Sequence, residues 1–218
     1  MKNLDYIKLV LGSVSTNTYI LYNKQTKECI IIDPADEAQK IIESIEENAL
    51  KPQAILLTHG HFDHILAADD VKKHYNIKVY GYEKERELFE DSSKNTSERF
   101  LRKKVKVDID EYFNDDSNLE FLGEKFEVIH TPGHTKGSVC FYLKNEDLLI
   151  AGDTLFYHTY GRCDLYSGNH DDMIASLAKL FLLDDNILVL PGHERETNIG
   201  DEKKYNYILR YFPKAEGK

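Results

Sequence analysis

The chain reads as short apolar runs broken by turns. Ile7-Lys8-Leu9-Val10-Leu11, Tyr19-Ile20-Leu21-Tyr22 and Cys29-Ile30-Ile31-Ile32 have the length and residue types of strands, with turn-prone Asn23-Lys24 separating the last two. Asp33-Pro34-Ala35-Asp36 ends the third run, and Ile41, Ile42 and Ile45 then fall on one face of a helix. Four later runs share a design. Ala54-Ile55-Leu56-Leu57-Thr58 leads into His59-Gly60-His61, and Phe126-Glu127-Val128-Ile129 leads through His130-Thr131 into Pro132-Gly133-His134. Leu148-Leu149-Ile150-Ala151 leads into Gly152-Asp153, and Ile187-Leu188-Val189-Leu190 into Pro191-Gly192-His193. Each is a strand-like run that stops at a Gly- or Pro-containing turn carrying a His or Asp.

Helical spacing lies between and after these runs. Met173, Leu177, Leu180 and Phe181 fall at i, i+4, i+7 and i+8, and Tyr205, Ile208, Leu209 and Phe212 at i, i+3, i+4 and i+7. The charge-rich stretch from Glu83 to Lys106 reads as a solvated surface helix and loop rather than an excursion over a site. No Pro/Gly/Ser-rich linker and no fixed-period repeat divides the chain, so residues 1–218 are expected to form one layered α/β domain.

The densest chemical signal is Thr58-His59-Gly60-His61-Phe62-Asp63-His64, where three imidazoles and a carboxylate fall within six residues. Packing alone rarely asks for that. Imidazole nitrogen and carboxylate oxygen both bind borderline divalent cations. His59 and His61, in a turn after a strand, can reach one metal, with Gly60 letting the backbone fold tightly between them. Asp63 and His64, at the start of the next helix, can reach a second. Each pair lacks a third ligand, and His134 and His193, in matching Pro-Gly-His turns, supply one each. Asp153 has two oxygens and can bridge. Paired metals ~3.5–4 Å apart are a recurrent hydrolytic arrangement. His74, His130, His158 and His170 lack such a context and take no role, although His158 is placed near the pocket.

Composition narrows the partners. With 218 residues the chain can bury a sizeable core, and 28 Lys+Arg against 38 Asp+Glu leave a net charge of −10. That charge disfavours nucleic acid and anionic membranes as partners. No apolar run approaches the ~20 residues that cross a bilayer. The first residues mix Lys2, Asp5 and Lys8 into their apolar positions, and Cys29, Cys140 and Cys163 are isolated, so a cytoplasmic protein with reduced thiols is expected. The cysteines read as small buried residues or bystanders.

THGHFDH, TPGHT, AGDTLF and LPGH, in that order, resemble the metallo-β-lactamase superfamily across essentially the whole chain. The resemblance implies a four-layer αββα sandwich with metals at the edge where the strand-end turns meet. Gly152-Asp153-Thr154-Leu155-Phe156 followed by Gly161-Arg162-Cys163-Asp164 is similar to small, single-domain, glyoxalase II-like hydrolases, as is Pro191-Gly192-His193 with Thr197-Asn198-Ile199-Gly200-Asp201-Glu202. Zinc β-lactamases generally place a Cys where Asp63 or Asp153 stands. The flavo-diiron branch places a Glu where His61 stands.

The resemblance implies two divalent cations, zinc suiting these ligands and iron or manganese fitting similar sites. They would be held by His59, His61 and His134, and by Asp63, His64 and His193, with Asp153 between. The expected substrate is a small-molecule acyl thioester or ester, of the S-lactoylglutathione type, or a lactone. Asp63 would take up a proton during catalysis, and Arg162 would meet a substrate carboxylate. Typical glyoxalase II enzymes carry a longer helical region after the last histidine, and here only Glu194 to Lys218 follow it. Persulfide dioxygenases also resemble the chain, with a Gly-Arg-x-Asp segment after the bridging-type Asp. Their single iron would take His59, His134 and Asp153.

Overall fold

A strand buried on both faces needs a continuous apolar run, and the runs of this chain are used in that way. In the computed structural model, which describes residues 1–212, six strands form the first sheet. They are β1 (Leu4–Leu11), β2 (Thr16–Asn23), β3 (Glu28–Ile32), β4 (Lys51–Leu56), β5 (Lys78–Tyr82) and β6 (Glu111–Phe113), in that spatial order. β1 to β3 pair antiparallel, and β3 to β6 pair parallel. Parallel neighbours need crossovers, and helices provide them. α1 (Ala38–Glu47) joins β3 to β4. α2 (Phe62–Ile65) and α3 (Ala68–Tyr75) join β4 to β5, and α4 (Arg86–Glu90) and α5 (Ser97–Leu101) lie between β5 and β6.

The second sheet holds β7 (Leu119–Phe121), β8 (Glu124–His130), β9 (Val139–Leu143) and β10 (Leu148–Gly152). A small hairpin follows, of β11 (Leu155–Phe156) and β12 (Thr159–Tyr160), and then α6 (His170–Leu180). β13 (Leu188–Pro191) and β14 (Thr197–Asn198) complete the sheet in the order β14-β13-β10-β9-β8-β7, and α7 (Ile199–Tyr205) closes the series.

Period-two alternation sorts the side chains into layers. Tyr19, Leu21, Ile30, Ile32 and Leu56 face the second sheet and pack with Phe126, Phe141, Leu148 and Ile150. Ile20, Ile31 and Ile55, one residue out of step, face Ile41 and Ile45 of α1 and Val71 of α3. Cys140, Leu149 and Val189 face outward from the second sheet onto Met173, Leu177 and Leu180 of α6. The order of layers is therefore helix, sheet, sheet, helix.

One helix expected near the C-terminus is two pieces. α7 stops at Asn206, whose backbone is extended (φ −62°, ψ 136°), and a 3-10 turn over Tyr207–Tyr211 follows. The Asn206 amide donates to the Thr159 carbonyl (2.8 Å) and Glu202 (2.7 Å), and its oxygen accepts from the Ile208 N–H (3.0 Å). A capping side chain thus breaks the apolar period, and Tyr205 is left 63% exposed.

The topology aligns the strand ends. β8 and β10 are each antiparallel to β9, and β13 is parallel to β10, so β8, β10 and β13 run the same way. The end of β4 joins them through the Thr58 carbonyl, which accepts the Val139 N–H (3.0 Å). All four turns flagged in the sequence therefore open at one edge.

Phe141 is fully buried between the sheets, so Phe141→Ala should cost ~3–5 kcal/mol in equilibrium denaturation. Leu182→Ala, at an 84% exposed position, should change stability by less than ~0.5 kcal/mol.

Candidate metal centre

His59 follows β4 by a few residues and is held by its neighbours. Asp33, at the end of β3, accepts the Thr58 N–H on Oδ1 (2.8 Å) and the Thr58 hydroxyl on Oδ2 (2.6 Å). Oδ2 of Asp33 also takes His64 Nδ1 (2.9 Å). That bond fixes the tautomer of His64 and leaves Nε2 free to face the site. The Asp33 oxygens are thereby engaged, so Asp33 orients the cluster, although its carboxylate lies within 4.8 Å of ligand atoms of His59 and His64.

His134 is set by a parallel device. Its Nδ1 donates to the backbone carbonyl of Arg162 (2.7 Å), turning Nε2 inward to 2.7 Å from His61 Nδ1 and 3.4 Å from Asp153 Oδ2. His193 Nε2 lies 3.3 Å from Asp63 Oδ2 and 3.4 Å from Asp153 Oδ2. His64 Nε2 lies 3.4 Å from Asp153 Oδ1 and 3.5 Å from Asp63 Oδ2. The Thr16 hydroxyl donates to Asp63 Oδ2 (2.7 Å), bringing the β1–β2 turn to the site.

The seven histidines and aspartates expected to act together are thus brought together, in two sets that share an edge. His59, His61 and His134 offer ligand atoms within 4.8 Å of one another, and so do Asp63, His64 and His193. Asp153 reaches toward members of both.

The electrostatics suit donors to a cation. Burial, with neighbouring histidines adding to it, pushes His59 well below the usual imidazole range and His61 down to about 3. Burial lowers His134 as well. Those three are neutral, the form that binds a metal. For His193, burial opposes protonation, but the Asp153 charge and hydrogen bonds to Asp153 and Asp63 outweigh it and raise the group to about 10. His64 is raised in the same way, against burial, by Asp153 and Asp63. Both carboxylates are held low although burial opposes it: Asp63 by His64 and His193, and Asp153 by the charges of the same two residues. This half of the site demands positive charge.

Buried lone pairs give the sharper test of fit. His59 Nε2, His61 Nε2, His64 Nε2 and Asp153 Oδ1 are buried without a hydrogen-bond partner. Buried polar atoms normally have partners. Four orphans at the meeting point of four strand ends suit divalent cations bound by nitrogen and oxygen.

The surroundings contain residues that the sequence left unassigned. Asp33 ends an Ile-Ile-Ile run in the pattern that flagged Asp153, so its signal was present. Glu85 gave none. It is fully buried in the turn Glu83–Glu85, where Oε1 accepts the Gly60 N–H (2.9 Å) and Oε2 the Gly137 N–H (2.9 Å). One carboxylate therefore braces the His59–His61 turn against the turn after His134, and burial raises it to about 7. Gly60 is needed for space rather than for an unusual backbone angle, because a Cβ there would lie 2.7 Å from Leu88 Cβ.

The stretch 83–106 is also not a solvated surface. Leu88, Phe89, Asn95 and Ser97 are buried, the Asn95 carbonyl accepts the Phe62 N–H (3.1 Å), and Phe100 stacks on Phe62 at 6.0 Å. It forms one wall of a cavity of about 230 Å³ over His61, Asp63, His134, Asp153 and His193. Val14, Phe62, Thr96, Phe100, Arg162 and Leu165 line the rest. Arg162 does reach the cavity, but its guanidinium is forked onto Asp164 (2.7 and 2.8 Å). His158 stacks on Tyr157 at 3.8 Å and is not part of the lining. Cys29 and Cys140 are buried, Cys163 is half-buried, and all three are free.

Comparisons with known proteins agree with this geometry. The sequence profile described as Metallo-beta-lactamase superfamily matches residues 11–193. The "Probable metallo-hydrolase YqgX" of Bacillus subtilis is 38% identical over 96% of this chain and 99% of its own length. The "Hydroxyacylglutathione hydrolase GloC" of Haemophilus influenzae is 38% identical over 84% of this chain and 88% of its own. Among solved structures, BLEG-1, described as a B3 metallo-beta-lactamase, superposes with a TM-score of 0.90 at 38% identity, covering 94% of this chain and 99% of that one. TTHA1623, described in a di-iron-bound form, gives 0.81 at 30% identity, covering 93% and 100%.

Gly192 has no room for a side chain, since a Cβ would lie 2.1 Å from Asp153 Oδ1 and 2.9 Å from His64 Cε1. Gly192→Ala should therefore displace Asp153 and lower metal affinity by at least tenfold in a competitive chelator titration. Glu85 makes a pH-dependent contribution. Its folded pKa of about 7 lies above the unfolded value of ~4.3, so its contribution is full below ~4.3 and is lost as pH rises through 7. Between pH 5 and 8 the wild type should lose stability relative to Glu85→Gln, by at most ~1.4 kcal/mol per pH unit. Parallel denaturation profiles would remove Glu85 from this role.

Proposed function

The chain belongs to the metallo-β-lactamase superfamily, and from that premise we propose that it is a dinuclear metal-dependent hydrolase cleaving acyl thioesters of the glyoxalase II type. The observation that carries this reading is the pair of three-residue ligand sets meeting at Asp153 on the floor of an open cavity. The identity of 38% to a hydroxyacylglutathione hydrolase supports the thioester. Zinc suits the His/Asp donors, and the di-iron form of a 30% identical structure supports iron as an alternative occupant. The one-iron dioxygenase reading would use His59, His134 and Asp153 of these residues, and metal content separates it from the dinuclear one.

Bound divalent cations would supply Lewis acidity toward the acyl carbonyl and lower the pKa of a shared water. The protein's own groups do the rest. His59, His61 and His134 present neutral nitrogens, Asp63 and Asp153 would offset the positive charge, and His64 and His193 add two further nitrogen donors. Asp33 and the Arg162 carbonyl keep two of the rings aimed. Thr16 holds one oxygen of Asp63 at the cavity wall. Asp63 takes the proton given up by the attacking water and passes it to the departing sulfur. Water adds to the acyl carbon and the C–S bond breaks, so that one thioester and one water give one carboxylic acid and one thiol. Phe62, Phe100, Val14 and Leu165 give the cavity an apolar wall against which a substrate can pack.

A second reading, β-lactam amide hydrolysis, is favoured by the TM-score of 0.90 to BLEG-1. The two readings separate in one panel. Metal-loaded protein should hydrolyse S-lactoylglutathione, followed by loss of thioester absorbance, at least a hundredfold faster in kcat/KM than a chromogenic cephalosporin. Asp63→Asn should lower thioester kcat by ~10²–10⁴-fold. Undiminished turnover by a variant that retains its metal would remove Asp63 from the mechanism.

A further inference from the structure

His193 stands in a turn that its own residues do not hold. Glu194, the next residue, has φ 66°, a left-handed backbone that non-glycine residues keep only where the surroundings impose it. Asn17, buried near the start of β2, imposes it. Its Nδ2 donates to the carbonyls of Pro191 and Glu194 (2.9 Å each), which flank His193, and its backbone N–H donates to the Gly192 carbonyl (2.7 Å). The Tyr19 hydroxyl donates to the Pro191 carbonyl as well (2.8 Å). Asn17 does this while its own Oδ1 is buried without a partner, which costs stability. Thr16, one residue earlier, donates its hydroxyl to Asp63 Oδ2 (2.7 Å) and pairs with His193 through the backbone.

Two consecutive residues therefore hold two of the three members of one ligand set. Among the described residues, their side-chain hydrogen bonds reach no member of the other. The His59–His61 turn is held instead by Asp33, through Thr58, and by Glu85, and His134 by the Arg162 carbonyl. We propose that Thr16 and Asn17 are positioning residues that set the affinity of the second metal position, Asp63, His64 and His193, separately from the first, and so determine whether the chain holds two cations or one. The inference rests on the dinuclear reading given above. Donors already in place bind a cation without the loss of freedom that ordering them would cost. Without the Asn17 amide, the carbonyls of Pro191 and Glu194 lose a donor and Glu194 is free to leave its left-handed backbone. His193 then drifts from Asp63 and Asp153, from which its Nε2 lies 3.3 and 3.4 Å. His59, His61 and His134 keep their own supports.

The test titrates metal-free protein with zinc against a competing chelator and resolves the binding steps. The step that disappears in His193→Ala marks the second position. Asn17→Ala should weaken that step about 10- to 100-fold and the other by less than about threefold. Thr16→Val should weaken the same step by about tenfold. A purely structural role would not discriminate between the steps, and Phe141→Leu, in the core away from the site, should leave both within about threefold of wild type. Elemental analysis at limiting zinc should find the first position filled before the second in Asn17→Ala. An Asn17→Ala protein with both steps weakened equally, or neither, overturns the inference and leaves the dinuclear reading standing. If circular dichroism shows that Asn17→Ala does not fold, Thr16→Val decides by the same criteria. A wild type that binds one zinc per chain overturns the dinuclear reading, and the inference with it.

Discussion

Lone pairs and carboxylates buried against one another are the constraint from which the site follows. His59, His61, His64 and His134 are packed ring to ring, with centroids as close as 4.1 Å, and Asp153 is pressed among them. Burying polar groups without partners costs several kcal/mol each in an apolar reference. Three of the imidazole nitrogens find no hydrogen-bond partner within the cluster, and two carboxylates cannot neutralise one another. The half of the site containing Asp63 and Asp153 compensates by drawing protons onto His64 and His193. In the other half burial outweighs the pull of Asp153 and keeps the rings neutral. Divalent cations would relieve both halves at once, supplying acceptors for the lone pairs and countercharge for the carboxylates.

The fold exists in a form that can impose that burial. Two sheets pressed face to face fix the four strand ends relative to one another, and the turns that leave them have no freedom to spread. The braces are mostly single groups linking segments far apart in sequence: Asp33 to Thr58 and His64, the Arg162 carbonyl to His134, Glu85 to Gly60 and Gly137, and Thr16 to Asp63. Each brace holds a turn or a ring that bears a ligand, so their effect is on geometry rather than on the ligand set itself.

The layers and the ligands were legible in the chain because both are local signals. Period-two burial writes itself into runs such as Ile30-Ile31-Ile32, and the strand-end turns carry their His and Asp within a few residues. The braces were not legible in the same way. Asp33 repeated the strand-end pattern but lies outside the histidine cluster that gave Asp153 its meaning. Glu85 and Phe100 sit in a segment whose alternating charges match a solvated helix. Their partners are two backbone N–H groups and a ring contributed by other segments, which no spacing reveals. Tyr205 to Phe212 shows the converse: the apolar period was real, yet Asn206 used its side chain to cap a new turn and broke the helix.

The central claim is that two cations, not one, complete this centre. It is tested most directly by elemental analysis of the purified protein after dialysis against metal-free buffer, with the metal-to-chain ratio determined alongside oxygen uptake on a persulfide. Two divalent metals per chain, with no oxygen uptake, is the predicted result. A single iron per chain, retained with Asp63, His64 and His193 dispensable for its binding and accompanied by oxygen consumption, would contradict it.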